Sequence, residues 1–279
     1  MLLGELLERT KELLKADGIE SWRIDSELIV MQAVECSRVQ LITRDNVPLT
    51  DTQLKSAEEM TTRRLKREPM QYILGQCEFM GLDFKLSSDT LIPRGDTECL
   101  VETVLDYIKK SGSKTVLDIG TGSGAIIISL ALLGGISGTA LDISEGALAM
   151  AKENAALNGV ADKISFIKSN VFENVQGSFD IIVSNPPYIE REVIPTLDRQ
   201  VKDFEPVRAL DGGTDGLDFY RIITKNAHSF LNKGGLLAFE IGYNQGEAVS
   251  SLMESAGFTQ LTVGRDLAGL DRTVCGRLK

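Results

Sequence analysis

Histidine is almost missing from this sequence, and that alone removes several chemistries. His228 is the single histidine in 279 residues. A Ser-His-Asp centre or a multi-histidine metal site would have to be assembled around it alone, so neither is expected. Cysteine is scarce as well. Cys36, Cys77, Cys99 and Cys275 are scattered, with no CxxC pair. That favours reduced thiols in a cytoplasmic protein over disulfides or a zinc site. Long apolar runs are also lacking. The longest nearly unbroken one, residues 125–136, is interrupted by Ser129, Gly134 and Gly135. It has about 12 residues, against about 20 for a membrane-spanning helix. The first residues, MLLGELLERTKELLKADG, mix charge into apolar positions at once, unlike a secretory signal. Basic charge is in deficit: 30 Lys and Arg against 40 Asp and Glu give a formal net charge of −10. An acidic chain is repelled by phosphate backbones unless it carries a local basic patch. Neither nucleic acid nor an anionic membrane surface is therefore the expected partner.

What is present fits two domains. The length supports that prior, and 43% hydrophobic with 25% charged residues is ordinary globular composition. Residues 1–68 read as helices. Leu3, Leu6, Leu7, Leu13 and Leu14 share one helical face. Ile24, Leu28, Ile29, Ala33 and Val34 make a second helix, with Asp25 and Ser26 near its start as capping side chains. A longer helix begins at Thr50 or Asp51 and ends in Arg63, Arg64, Lys66 and Arg67. Such a cluster reads either as a solvated helix end favoured by the dipole or as a docking patch for an acidic or RNA-containing partner. Residues 69–91 have aromatic and apolar residues near period two, with Gly75 and Gly81 as punctuation. They read as a β-hairpin linker. Residues 92–279 alternate β-type runs with helical segments. The runs are 115–119, 138–142, 164–168, 179–184, 236–241, 259–264 and 272–278. This predicts an α/β domain with a mostly parallel sheet wrapped by helices. No helix separates the last two runs, which makes them an antiparallel edge pair.

Two segments carry chemistry. The run 115–119 leads into Gly120-Thr121-Gly122-Ser123-Gly124-Ala125. Glycines let a backbone turn sharply and approach a ligand where a Cβ would clash. Asp142 ends the next run, where an acid accepts hydrogen bonds from ribose hydroxyls. Together they point to an adenosine ligand on a Rossmann-like sheet. The run 179–184 ends in Asn185-Pro186-Pro187-Tyr188. Ligands of open α/β sheets bind at the carboxyl ends of strands, which puts this tetrapeptide at the crevice. An amide or exocyclic amine is a poor nucleophile because its lone pair is delocalised. The Asn185 side-chain oxygen and the Pro186 carbonyl are placed to accept its two N–H bonds, which turns the lone pair outward. The two prolines stiffen the loop and supply no competing N–H. Tyr188 offers a flat face to a planar group.

With those residues in hand, the second domain resembles class I methyltransferases dependent on S-adenosylmethionine (AdoMet). The whole chain resembles the PrmC (HemK) family, which methylates the side-chain N5 of the glutamine in the Gly-Gly-Gln loop of class I peptide-chain release factors. The matching segments span nearly all of the chain. They include Pro69-Met70-Gln71-Tyr72-Ile73-Leu74-Gly75 with Phe79, and Leu91-Ile92-Pro93-Arg94 with Thr97-Glu98. The glycine loop, Asn185-Pro186-Pro187-Tyr188-Ile189, Ala209-Leu210-Asp211-Gly212-Gly213, Glu240-Ile241-Gly242 and the stretch 266–272 complete the set. The chain departs from the family pattern at Gly95 and Asp96, where Pro and Glu are usual, and at Asn170, where many relatives carry Asp.

The resemblance implies a Rossmann-like class I sheet, mostly parallel with an antiparallel edge strand, joined by a hairpin to a small N-terminal helical domain that recognises substrate. It implies AdoMet as cofactor and no metal. Gly120, Thr121, Gly122, Ser123 and Gly124 would line the methionine and ribose, Asp142 the ribose hydroxyls, and Asn170 and Val171 the adenine. Asn185 and Pro186 would hold the substrate amide beside the cofactor, with Pro187 and Tyr188 packing around it. Phe79 and Arg94 would help close the pocket, or serve as hairpin core and a structural ion pair. The expected protein is a cytoplasmic monomer acting on release factors, with no membrane and no stable nucleic-acid partner. The loop from Glu190 to Asp218 is a second candidate for protein recognition, because long ordered loops are often functional. Alternatives are an N-methyltransferase for a ribosomal-protein glutamine or for an exocyclic amine of DNA or RNA. An NAD-dependent oxidoreductase or a silent adenosine-binding module is disfavoured by the Asn-Pro-Pro-Tyr motif.

Overall fold

Two units divide the chain in the computed structural model, which describes residues 1–279. One comprises residues 1–75 with 199–204, the other residues 76–198 with 205–279.

The first unit is helical: α1 (Leu3–Ala16), α2 (Trp22–Val34), α3 (Arg38–Thr43), α4 (Asp51–Leu65) and α5 (Met70–Leu74). Leu3, Leu6, Leu14, Ile29, Val30 and Met60 form its core. Leu13, on the edge of the expected apolar face, is instead exposed. α3 and α4 begin with reciprocal capping boxes, Ser37 with Gln40 and Thr50 with Gln53, which satisfy backbone donors that a helix start leaves open. Asp25 and Ser26 do not cap α2. The helix starts three residues earlier, at Trp22, and Asp25 is turned inward to Arg64. Nor is the basic cluster a free patch. Arg64 donates to Asp25 Oδ2 at 2.7 Å and to Gln200 Oε1 at 2.8 Å. Arg63 forks onto Glu68 at 2.8 and 2.6 Å, and Arg67 pairs with Asp17. Of the four, Lys66 is the exposed residue.

Residues 70–74 are helical, not part of a hairpin. The amides of Tyr72 and Ile73 both donate to the Pro69 carbonyl at 3.1 Å. Proline fixes the φ that starts such a turn, and this outweighs the strand-like alternation of side chains. The hairpin itself is short: β1 (Gln76–Phe79) and β2 (Leu82–Lys85). Its tip, Met80-Gly81, has φ of +54° and +72°, a pair that matches the twist of a two-residue hairpin.

The second unit continues with α6 (Gly95–Ser111), β3 (Thr115–Ile119), α7 (Ala125–Gly134), β4 (Ser137–Asp142), α8 (Glu145–Leu157), β5 (Ile164–Lys168) and β6 (Phe179–Ser184). α9 (Arg199–Lys202), grouped with the helical unit, precedes α10 (Asp218–Ala227), β7 (Leu231–Glu240), α11 (Gly246–Ser255), β8 (Phe258–Arg265) and β9 (Asp271–Leu278). The sheet has seven strands in the order β5-β4-β3-β6-β7-β9-β8. Pairs from β5 to β7 are parallel, while β9 runs against β7 and β8. The two final strands thus form the antiparallel edge pair. β3 and β6 carry helices on both faces, so their residues are almost wholly buried and read as unbroken apolar runs. α7 is the long apolar run; seven of its residues are buried, as expected of a helix apolar on all sides. No helix of the structure is long and apolar enough to cross a membrane.

Candidate active site

The order of strands reverses at β3, with β4 on one side and β6 on the other. Such a switch point opens a crevice at the carboxyl ends of the strands. The register places the loops level with one another. Ile119 pairs with Leu141 on β4 and with Ser184 on β6. Gly120 and Thr121 amides both donate to the Leu141 carbonyl, at 2.9 and 2.8 Å. The Ser184 hydroxyl donates to the Ile119 carbonyl at 2.7 Å. The glycine loop, Asp142 and Asn185 therefore emerge side by side around a cavity of about 280 Å³.

Gly120, Thr121, Gly122, Ser123 and Asp142 line this cavity. Asn170, Val171, Asn185, Pro186 and Pro187 line it as well. Gly120 and Gly122 have φ of +75° and +55°, and a Cβ on either would project into open space. Gly124 differs. It is not part of the cavity wall, and a Cβ there would lie 2.7 Å from Ile128 and 3.1 Å from Ala151. Its absent side chain lets α7 approach α8. Asp142 accepts from the amides of Gly122 at 3.0 Å and Ser144 at 2.8 Å, one on each oxygen. Asn170 reaches Glu173 at 2.9 Å. Val171 is held at φ +51°, which a β-branched residue adopts only under constraint. The Ser169 hydroxyl, donating to the Val171 carbonyl at 3.0 Å, supplies part of that constraint.

Asn185 Nδ2 donates to Thr97 Oγ1 at 3.3 Å, so Oδ1 is the amide atom left to accept. The Pro186 carbonyl meets no N–H from Pro187, which has none. Tyr188 and Phe79 do not line the cavity. The Tyr188 ring packs into the apolar cluster beneath β6 and β7, and its hydroxyl lies 3.4 Å from Glu240 Oε1. Burial and that carboxylate push its phenol up. Phe79 is 2% exposed and meets Phe84 edge to face at 6.1 Å, which makes it hairpin core. Arg94 pairs with the buried Glu205 instead of facing the cavity. His228 is exposed at the end of α10.

Several wall residues are given no role by the sequence pattern, Thr97 and Arg208 among them. Arg208 donates to Ser144 Oγ at 2.9 Å and to the carbonyl and carboxylate of Asp89 at 3.2 Å. It fastens the segment after α9 over one rim. The length of the 190–218 loop was its only signal. Beneath the glycine turn, Asp118 is 0% exposed. Burial, reinforced by nearby Asp142, raises its carboxyl to about 7 against the Thr121 hydroxyl bond. Its Oδ1 has no hydrogen-bond partner.

Known proteins are similar to this chain. A "Release factor glutamine methyltransferase" of Agrobacterium fabrum is 41% identical over 279 residues, covering 98% of this chain and 96% of its own length. One of Geobacter sulfurreducens is 40% identical over 278 residues, covering 99% and 96%. The chain belongs to the release factor glutamine methyltransferase family. Residues 5–75 match the family described as PrmC N-terminal domain, and residues 96–200 match the Methyltransferase small domain. Among solved structures, the hMettl16 catalytic domain, in complex with the MAT2A 3′UTR hairpin 6, superposes with a TM-score of 0.58 at 16% identity, covering 84% of each chain. That likeness shows the Rossmann-like fold of a methyltransferase. Membership of this family makes the chain an enzyme that transfers methyl groups.

Proposed function

We propose that the protein transfers a methyl group from AdoMet to the side-chain amide N5 of the glutamine in the Gly-Gly-Gln loop of class I peptide-chain release factors. The observation that carries this reading is the pairing of Ile119 with Ser184, which sets a glycine cradle and an amide-holding tetrapeptide on neighbouring strand ends.

The wall fits AdoMet by its chemistry. Open space where Cβ atoms of Gly120 and Gly122 would lie leaves room for a ligand against the backbone. Asp142 spends one interaction per oxygen on the fold and keeps lone pairs for ribose hydroxyls. Asp118 Oδ1, buried and unpartnered, favours a cation over the turn. Thr121 and Ser123 complete the cradle, and Asn170 and Val171 flank the place for the adenine. When bound, AdoMet supplies an electrophilic methyl group.

The chain's own part is positioning and electrostatics. Asn185 Oδ1 and the Pro186 carbonyl accept both N–H bonds of the glutamine amide. That turns the nitrogen lone pair toward the methyl and selects nitrogen over the intrinsically more nucleophilic amide oxygen. The nitrogen becomes strongly acidic once alkylated and then releases its proton, so no histidine is needed beforehand. We assign release-factor recognition to the helical unit, which exposes Ile24, Val39 and Ile42, together with the 190–218 loop. Methyl-labelled AdoMet, offered with a release factor or with bulk nucleic acid, tests the reading. Label should enter the release factor and vanish when its loop glutamine is replaced. Label in nucleic acid alone would refute it.

A further inference from the structure

Gln245 stands just before α11 and is 7% exposed. A polar side chain at that position commonly turns forward onto the first free amides of the helix. Gln245 makes no such cap and turns back instead. Its Oε1 accepts from the Gly242 amide at 3.0 Å. Its Nε2 donates to the Tyr188 carbonyl at 3.0 Å and to the Gly216 carbonyl at 3.3 Å. The neighbours settle which end of the amide is which, because an N–H needs an acceptor and two carbonyls need donors. Both hydrogens are thus spent, one on the loop that leaves β6 and one on the far end of the 190–218 loop.

Those two stretches of backbone lie against each other. The Ile189 amide donates to the Leu210 carbonyl at 3.0 Å, and the Gly212 amide to the Ile189 carbonyl at 2.9 Å. Close approach depends on two missing side chains. A Cβ on Gly212 would lie 2.8 Å from the Pro187 carbonyl oxygen and 2.8 Å from Tyr188 Cα. On Gly216, at φ +72°, it would lie 2.3 Å from the Tyr188 carbonyl oxygen. Pro186 and Pro187 have no N–H, so the backbone around them is held by what its carbonyls accept and by what packs on it. We propose that Gln245 is a positioning residue for methyl transfer: its amide ties the Tyr188 and Gly216 carbonyls together and so fixes Asn185 and Pro186 at the cofactor cradle. The proposal rests on the function assigned above. Because the loop assigned to release-factor recognition ends on the same side chain, seating that loop also seats the acceptors of the substrate amide.

The test uses the full-length protein with Gln245→Glu and Gly212→Ala. Gln245→Glu keeps an acceptor for the Gly242 amide but sets carboxylate oxygen against two carbonyls. Gly212→Ala presses a methyl group on the backbone of Pro187 and Tyr188, an independent way to shift the same segment. Each should lower kcat for release-factor methylation by about 10²-fold, the scale of reacting groups misplaced by an ångström, with KM and the Kd for AdoMet within about threefold of wild type. Amide hydrogen exchange at Ile189 and Gly212 should quicken by about tenfold or more in Gln245→Glu, while the amides of β3 keep their rates. A residue that served stability alone would quicken exchange throughout and leave kcat unchanged below the melting temperature. Wild-type kcat in Gln245→Glu, or unchanged exchange at Ile189 and Gly212, would overturn the proposal. Quickened exchange at those two amides, in a protein whose wild type leaves release factors unlabelled, would uphold the brace and overturn the assigned reaction.

Discussion

In the helical unit, buried charge is matched. Arg64 and Asp25, 4% and 6% exposed at their side chains, meet at 2.7 Å. The remaining Arg64 donors reach Glu68 O, Gln200 and Ser21. In the sheet unit, Asp118, Glu205 and Glu240 are buried carboxylates that each keep one oxygen without a partner. Asp118 and Glu240 flank the two loops that leave β3 and β6, and Glu205 holds Arg94 at the entry to α6. The contrast separates groups that hold a fold from groups held ready by one. Unsatisfied buried atoms are costly enough that a folded chain keeps few of them, and those kept at a crevice are signs of a site.

The comparison can be attacked from either side. The largest effect is expected at Asn185→Ala. It should lower kcat/KM for release-factor methylation at least about 10³-fold, or about 4 kcal/mol, with AdoMet affinity changed less than about threefold by titration calorimetry. Normal turnover would sink the assignment of the tetrapeptide. On the helical side, Asp25→Ala leaves Arg64 buried and uncompensated. It should cost about 3–5 kcal/mol in urea unfolding. A loss under about 1 kcal/mol would mean the pair is not what holds that unit.

The third prediction concerns pH. The Asp118 carboxyl is raised to about 7 in the fold, above its unfolded value. Its contribution to stability is therefore fully present below the unfolded pKa, about 4, and is lost as pH rises through about 7. Asp118→Asn removes this dependence. In cofactor-free protein, the variant should gain on wild type between pH 5 and pH 8 in chemical unfolding. A gap that stays constant across that range would show that Asp118 is not strained. The smallest effect is at Glu35, a C-cap residue of α2 held at φ +54°. Glu35→Gly should stabilise by about 0.5–1 kcal/mol and leave methylation unaltered.

Much of this architecture was legible beforehand. The runs at 115–119 and 179–184 coincide with β3 and β6, because strands covered on both faces are almost wholly apolar; the run at 164–168 coincides with β5 although that edge strand is part exposed. That Gly120, Gly122, Asp142 and Asn185 meet at one cavity was legible because the carboxyl ends of neighbouring strands in such a sheet open on one crevice. Other features depend on partners far along the chain. Asp25 looks like a helix cap until Arg64 is placed beside it. Phe79 looks like a pocket wall until Phe84 covers it. Met70–Leu74 alternates like a strand, and only Pro69 turns it into a helix. Thr97 stood in a recognisable segment, yet nothing in that segment shows that it meets Asn185.

The rung shared by Ile119 and Ser184 has a consequence for how this catalyst can change. Neighbouring strands lie about 4.8 Å apart, and reacting atoms must come within about 3–3.5 Å. The sheet thus acts as a ruler: it fixes the baseline between donor and acceptor, and the loops have only to lean across the last ångström or two. Replacing residues on either loop alters what is recognised. Altering the reach itself would require the backbone ladder of β3 and β6 to slip.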